Sequence, residues 1–189
     1  DGRADGLNWD LLNDGVGNPK NTKSLLLSMQ TPPAMITGIR DHPEEAVRSG
    51  LKFILFSVRS EKEAANIDAY LDALKPIPSP YLEEGKLSKS ANHGKKYYVQ
   101  AGCVSCHPKP LFTNMKNYDV GTGMESEKNR VFDTPSLVEV WRTSPYLVDG
   151  QALTMQEVLI NCNRENKHGN VVDLNQREIN YLLEYILSL

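Results

Sequence analysis

Cys103-Val104-Ser105-Cys106-His107 is the most informative motif of this chain. Two thiols separated by two residues and followed at once by an imidazole can bind both vinyl groups of a haem and ligate its iron. The motif therefore predicts one covalently attached haem c, with Cys103 and Cys106 as thioether anchors and His107 as the proximal iron ligand. Half of a zinc site is the alternative, but no second cysteine pair or histidine cluster with zinc spacing follows.

The sixth coordination position of the iron decides between electron transfer and catalysis, because a second strong ligand closes the site and an open position admits peroxide or oxygen. His168 is the favoured sixth ligand, since it lies in a polar turn a few residues before the last predicted helix. His42 and His93 lie in charged surroundings and are expected to face solvent. The alternatives to His168 are an open site or one of four sulfur side chains: Met115, Met124, Met155 and Cys162.

Composition and charge narrow the class of protein. The 189 residues, 40% of them hydrophobic and 24% charged, can bury one ordinary core or two small ones. A net charge of −3 with mixed signs leaves no basic stripe for nucleic acid. A run of about 18 apolar residues for a membrane span is absent, and the first residues lack the layout of a secretory signal, which indicates a mature or internal segment. Covalent haem attachment takes place outside the cytoplasmic membrane, so we expect an exported protein, periplasmic or extracellular.

Helical patterns dominate the rest of the chain. Ser60 and Asn175 each precede a glutamate by three residues, which is typical of a capped helix start, and apolar residues at helical spacing follow both. A third helix is predicted from about Ser88 to Ala101, leading directly into the haem motif. Shorter helices are predicted at 43–56 and 154–160. Because no alternating strand pattern is evident, the fold class is predicted to be all-α, with cytochrome c-like helical domains and long loops.

An internal repeat is visible when the chain is compared with itself at an offset of 112 residues. Segment 22–47 and segment 134–159 share seven identical residues in 26 positions without a gap. The counterpart of the haem motif would then fall before Asp1. We therefore predict two related domains in tandem: the remainder of an N-terminal cytochrome c-like domain at 1–78, and a cytochrome c domain with its covalent haem at 79–189.

Beyond the haem motif, four further segments match a known family. They are Pro110-Leu111-Phe112-Thr113, Val120-Gly121-Thr122-Gly123, Asp133-Thr134-Pro135-Ser136-Leu137 and the stretch 142–150. With these segments the sequence resembles the bacterial di-haem cytochrome c peroxidase superfamily, which includes MauG-type enzymes and, more distantly, haem-containing rubber oxygenases. The resemblance covers nearly the whole chain and agrees with the repeat.

The resemblance implies two haems with different functions. In such proteins the N-terminal haem reacts with peroxide, and the six-coordinate C-terminal haem accepts electrons from a partner; the haem of this chain resembles the second kind. A second haem from upstream sequence is therefore implied. A calcium ion between the domains is also implied, at the positions matching Asn21, Thr143 and the Pro145 carbonyl.

Two departures from the family pattern affect the function expected of this chain. Family members commonly have His where this chain has Val148, and the Met ligand of typical peroxidases falls near Cys162, so neither role can be transferred. Loss of that Met favours His168, whose turn resembles the bis-histidine subgroup. A His in place of a Met ligand lowers the reduction potential, which favours a low-potential electron relay.

Three classes of function follow from these residues. The favoured one is a c-type cytochrome that transfers electrons through a bis-histidine haem to a redox partner protein or a neighbouring haem domain. The alternative is an enzyme, a di-haem peroxidase or related oxygenase whose reactive haem lies upstream. A third possibility is a structural or interaction module that keeps its haem for folding.

Overall fold

The computed structural model describes residues 2–9, 20–124 and 127–189. Five α-helices lie in this part of the chain: α1 Pro43–Ser49, α2 Glu61–Asp72, α3 Lys89–Gln100, α4 Met155–Leu159 and α5 Gln176–Leu187. A π-helical turn, Gly50–Ile54, continues α1. None of the helices among the described residues is both long and apolar enough to cross a membrane.

Three antiparallel strand pairs, each strand two residues long, accompany the helices. Such short strands leave no alternating pattern in the sequence, and none of them was predicted. The all-α class and the tandem domains therefore stay predictions. The pairs are β1 Asn8–Trp9 with β2 Lys20–Asn21, β3 Leu82–Glu83 with β4 Lys86–Leu87, and β5 Asn117–Tyr118 with β6 Phe132–Asp133.

The capping signals placed the helix starts correctly. Ser60 accepts a hydrogen bond from the Glu63 N–H, and the Glu63 carboxylate accepts one from the Ser60 N–H at 2.9 Å. Asn175 and Glu178 form the same reciprocal pair at the start of α5. Each pair satisfies backbone donors that the first helical turn leaves free. The third predicted helix is also present, as α3 with Ser88 at its N-cap.

The core lies where α3 packs against α5. Gly94 of α3 makes this approach possible: a Cβ placed on it would lie 2.0 Å from the Tyr181 carbonyl oxygen and 2.6 Å from the Tyr185 Cβ. No side chain fits at such distances. Leu182 is fully buried in the same interface, and Tyr98 stacks edge-on to Tyr185 with ring centroids 5.2 Å apart. The core therefore sits directly beside the haem motif that follows α3.

The sequence repeat recurs as a repeat of backbone conformation at the same offset of 112 residues. The 3₁₀ turn Ser28–Gln30 matches Val140–Arg142. The residues before these turns, Leu27 and Glu139, are left-handed with φ of 62° and 60°. Two isolated β-bridges also match, Ala34 to Arg40 and Tyr146 to Ala152. Because unusual conformations recur at matching positions, the similarity of the two segments is structural as well as compositional.

Candidate haem site

Helix α3 delivers the haem motif into a tight turn. Gly102 is left-handed, with φ of 81°, and ends the helix, a conformation that glycine adopts without strain. The 3₁₀ turn Cys103–Ser105 follows, and the His107 N–H donates to the Cys103 carbonyl at 2.8 Å. Cys103 and Cys106 are both half-buried free thiols. Burial raises the pKa of the Cys103 thiol to about 11, so it is neutral at pH 7.

His107 is held from two directions. The Tyr98 hydroxyl donates to the His107 carbonyl at 2.5 Å. The His107 Nδ1 lies 2.9 Å from the Phe112 carbonyl oxygen, which fixes the tautomer with the proton on Nδ1 and leaves Nε2 free to bind a metal. Burial lowers the pKa of His107, so the ring is neutral, as a ligand must be.

A separate loop positions His168. The His168 N–H donates to the Asn163 side-chain oxygen at 2.9 Å, and the Asn163 amide donates to the Gly169 carbonyl at 2.8 Å. The Asn170 N–H then donates to the Ala101 carbonyl at 2.9 Å. The loop is therefore fastened to the end of α3, directly over the haem motif.

The structure brings His107 and His168 together. Their ring centroids lie 6.5 Å apart with the ring planes tilted by 41°. Two imidazoles bound on opposite sides of one metal, each through a bond of about 2 Å, place their ring centres about 6 Å apart. Burial, together with the proximity of His107, lowers the pKa of His168 to about 4, and its Nδ1 is buried without a hydrogen-bond partner among the described residues. Two neutral imidazoles at this spacing, beside two thiols, fit a bis-histidine haem c.

The other candidate ligands lie in less suitable places. Met155 and Cys162 are buried in the hydrophobic core, and burial raises the pKa of the Cys162 thiol. Met115 and Met124 are 41% and 40% exposed. His42 and His93 are exposed, as predicted.

The residues implied for calcium are brought together only in part. Asn21 is buried, and its side-chain amide donates to the Pro145 carbonyl and to the Leu147 carbonyl, the latter at 3.3 Å. The Asn21 side-chain oxygen is buried and has no hydrogen-bond partner among the described residues. The Thr143 hydroxyl instead donates to the Val140 carbonyl at 3.2 Å.

Comparison with known proteins finds relatives that are similar to this chain over its whole length. No protein-family model matches it. The chain is similar to hydrazine synthase subunit gamma of Kuenenia stuttgartiensis. The two are 29% identical over an alignment 244 positions long, which covers all of this chain and 69% of the relative. A solved structure of hydrazine synthase from the same organism superposes with a TM-score of 0.86 and 27% identity, covering all of this chain and 78% of that one.

A second solved structure shares the fold at lower sequence identity. It is a MauG-like protein associated with microbial copper homeostasis, 16% identical, with a TM-score of 0.68 over 90% of this chain and 73% of that one. At this identity the likeness shows a shared fold. The two solved structures share the fold of this chain, and the arrangement of Cys103, Cys106, His107 and His168 fits a haem group.

Three residues that hold the site in place were not predicted from the sequence: Tyr98, Phe112 and Asn163. From the sequence, Tyr98 was known only as a residue of the predicted helix from about Ser88 to Ala101, and Phe112 only as part of a family motif. Asn163 lies in a polar segment that the sequence does not distinguish from other loops. Their roles depend on contacts between separate elements. Tyr98 could have been found from its position, because a tyrosine on the buried face of a helix needs a partner for its hydroxyl.

Proposed function

We propose that this chain is a c-type cytochrome that transfers electrons through a six-coordinate haem c attached to Cys103 and Cys106. The observation that carries the proposal is the 6.5 Å spacing of the His107 and His168 rings. Two strong axial ligands leave no open position for a substrate, which favours electron transfer over catalysis at this haem. Bound haem would supply reversible one-electron chemistry at its iron.

The residues of the chain prepare both ligands before any metal binds. The Phe112 carbonyl accepts a hydrogen bond from the His107 Nδ1–H and so leaves Nε2 free for a metal, while the Tyr98 hydroxyl holds the His107 backbone. Asn163 holds the backbone of His168 in the same way. Because both imidazoles have lowered pKa values, neither needs to lose a proton at pH 7 in order to act as a ligand.

The partner and location of the chain follow from its chemistry. A closed haem exchanges electrons with a second redox centre, which we propose is a partner protein or a second haem domain of the same polypeptide. Covalent haem attachment outside the cytoplasmic membrane supports export to the periplasm or beyond. Heterologous expression with and without a signal sequence tests this, because haem should attach only to the exported protein.

Low-temperature electron paramagnetic resonance of the oxidised protein tests the ligand assignment. The native haem should be low-spin with bis-histidine features, and His168→Ala should turn it high-spin because one axial ligand is lost. His93→Ala is the matched control, since His93 is exposed and stacks on Tyr181 instead, with ring centroids 5.2 Å apart.

Each result has a definite meaning for the proposal. A His168→Ala spectrum identical to that of the native protein would refute the assignment and direct attention to the sulfur side chains. A native high-spin haem would refute the electron-relay function and make this domain a candidate catalyst. Absence of covalent haem, measured by the pyridine haemochrome assay, would refute the proposed function as a whole.

A second candidate function is a role as a subunit of an enzyme. The likeness to hydrazine synthase subunit gamma over the whole chain supports it, since that protein is named as one subunit of a synthase. The complex purified from the native source should then contain further subunits and form hydrazine. The resemblance to di-haem peroxidases predicts instead steady peroxide turnover by the full polypeptide. Neither activity would be present if the chain is a simple relay.

A calcium ion at Asn21 is a further proposal from the resemblance. Rotating the Asn21 amide would direct its unpartnered oxygen towards the same side as the Pro145 and Leu147 carbonyls, and oxygen ligands of this kind suit calcium. Calcium should then raise the melting temperature of the native protein but not that of Asn21→Ala. Equal melting temperatures with calcium and with a chelator would contradict the proposal.

A further inference from the structure

Two short stretches, 111–113 and 134–136, lie side by side next to His107 of the haem motif, and each belongs to one of the segments that resemble the peroxidase superfamily. Two hydrogen bonds from hydroxyl groups to backbone carbonyls join them: Ser136 donates to Leu111 at 2.7 Å, and Thr113 donates to Thr134 at 2.6 Å. The two bonds run in opposite directions, and Phe112 and Pro135 lie between them in the sequence. This pair of bonds is called the hydroxyl clamp below.

Both hydroxyl groups of the clamp are fixed in orientation. Each also accepts a hydrogen bond from the backbone N–H two residues later, Thr113 from Met115 at 3.0 Å and Ser136 from Val138 at 3.1 Å. A hydroxyl group that accepts on one side can donate only in the remaining directions, so its proton is directed at the opposite carbonyl. Thr113 is buried and Ser136 is half-buried, which limits competition from bulk water.

The clamp encloses the two backbone carbonyls that act on His107. The Phe112 carbonyl oxygen lies 2.9 Å from the His107 Nδ1. Burial lowers the pKa of His107, while hydrogen bonding to the backbone of Phe112 and, to a smaller extent, of Pro135 opposes this shift. The Asn114 N–H donates to the Cys106 carbonyl at 2.9 Å, which ties the first stretch to the haem motif.

Phe112 has an unusual backbone conformation that its neighbours must maintain. Its φ of 52° lies in the left-handed region, which a bulky side chain rarely adopts. Such a residue persists where the surrounding structure determines its conformation. The clamp holds the residue on each side of Phe112, Leu111 through its carbonyl and Thr113 through its hydroxyl. Loss of the clamp would allow the Phe112 backbone to relax, and its carbonyl would turn away from His107.

We propose that Thr113 and Ser136 are positioning residues whose hydroxyl groups hold the Phe112 carbonyl on the His107 Nδ1 and so lower the reduction potential of the haem. A carbonyl that accepts a hydrogen bond from a ligating imidazole raises the basicity of that ligand. A more basic ligand stabilises oxidised iron more than reduced iron, and hydrogen bonding around the ligands is one means by which a protein sets the potential. The inference rests on the proposed function, because it takes His107 as an axial ligand.

Potentiometric titration of the haem protein tests the inference, followed through the low-spin signal that depends on His168. Thr113→Val and Ser136→Ala each remove one hydroxyl group and should raise the midpoint potential. In the double variant the ratio of reduced to oxidised haem at the native midpoint should rise about tenfold, which is about 59 mV for one electron. Thr113→Ser and Ser136→Thr keep the hydroxyl groups and should restore the native potential.

Thr31→Val is the matched control. The Thr31 hydroxyl donates to the Leu27 carbonyl at 3.0 Å in the first repeat segment, so this variant loses the same kind of hydrogen bond away from the haem motif. Its potential should equal that of the native protein.

Proton exchange gives a second measurement on the same variants. Reduced low-spin haem is diamagnetic, so the His107 Nδ1 proton can be followed by nuclear magnetic resonance. This proton should exchange with solvent faster in Thr113→Val and Ser136→Ala than in the native protein, because its acceptor is no longer held in place. Thr31→Val should show the native exchange rate.

The outcomes separate this inference from the proposed function. Native potentials in both single variants and the double variant, with covalent haem and the bis-histidine signal intact, would overturn the inference and leave the proposed function standing. Equal shifts in Thr113→Val and Thr113→Ser would show that packing sets the potential, which would overturn it as well. If Thr113→Val fails to fold, the half-buried Ser136→Ala decides. A native protein without covalent haem would refute the proposed function and the inference together.

Discussion

Gly94→Ala tests the packing that places the haem motif against the rest of the protein. In an open helix, alanine in place of glycine adds about 1 kcal/mol of stability. At Gly94 the new Cβ would lie 2.0 Å from the Tyr181 carbonyl oxygen, so α3 and α5 must separate. Overpacking of a core costs about 1–3 kcal/mol, and more when backbone must move. We therefore expect a net loss of about 2 kcal/mol, which for a protein of this size lowers the melting temperature by about 4–8 °C.

Thermal unfolding followed by circular dichroism measures this difference. Gly50→Ala is the matched control, because Gly50 has helical dihedral angles and no atom within 4 Å of the new Cβ. The control should keep or raise the melting temperature, since it gains helix propensity without a clash. A melting temperature of Gly94→Ala equal to that of the native protein would refute the packing argument, and so would equal losses in both variants.

Two further substitutions test contacts that link distant parts of the chain. Glu139→Gln removes the carboxylate that accepts charged hydrogen bonds from Arg3 and Arg142, which should cost about 2 kcal/mol at pH 7. Burial raises the pKa of Glu139, but its ion pairs and hydrogen bonds outweigh burial, so the net pKa is lowered. The stability advantage of the native protein over Glu139→Gln should therefore vanish as the pH falls through that lowered pKa. Urea unfolding at several pH values measures the difference in stability, and a difference that stays constant with pH would contradict the prediction. Tyr98→Phe leaves the His107 carbonyl without its donor and should cost about 1 kcal/mol in the same assay, whereas unchanged stability would show that the bond is not needed.

Local signals in the sequence predicted the helices well. Ser60 and Asn175 specify helix starts through residues only three positions away, so the capping pattern is readable without any tertiary information. The haem motif is equally local, since its two cysteines and histidine span five residues. The repeat could also be found from the sequence, because residues such as Thr31 and Gly38 recur at the same offset as Thr143 and Gly150.

Contacts between distant residues could not be predicted in the same way. In the sequence, Gly94 is only a residue of low helix propensity within a predicted helix. The close approach of α5 explains why this position is a glycine. Asn163 has the composition of a loop, and its function depends on a backbone N–H five residues later that only the folded loop presents. The strand pairs have two residues each, which is too short for a periodic signal.

We expect the α3–α5 interface to influence the spacing of the two histidines. His107 follows α3 directly and is tied to it by the Tyr98 hydroxyl, while the loop of His168 is tied to the Ala101 carbonyl at the end of the same helix. Because α5 begins shortly after that loop, a shift of α3 against α5 changes the distance between the rings without altering either ligand. Gly94→Ala should therefore broaden or alter the low-spin resonance signal of the haem as well as lower stability, whereas Gly50→Ala should leave the signal unchanged. A destabilised Gly94→Ala protein with the native signal would show that the two loops hold the histidines independently of the helices.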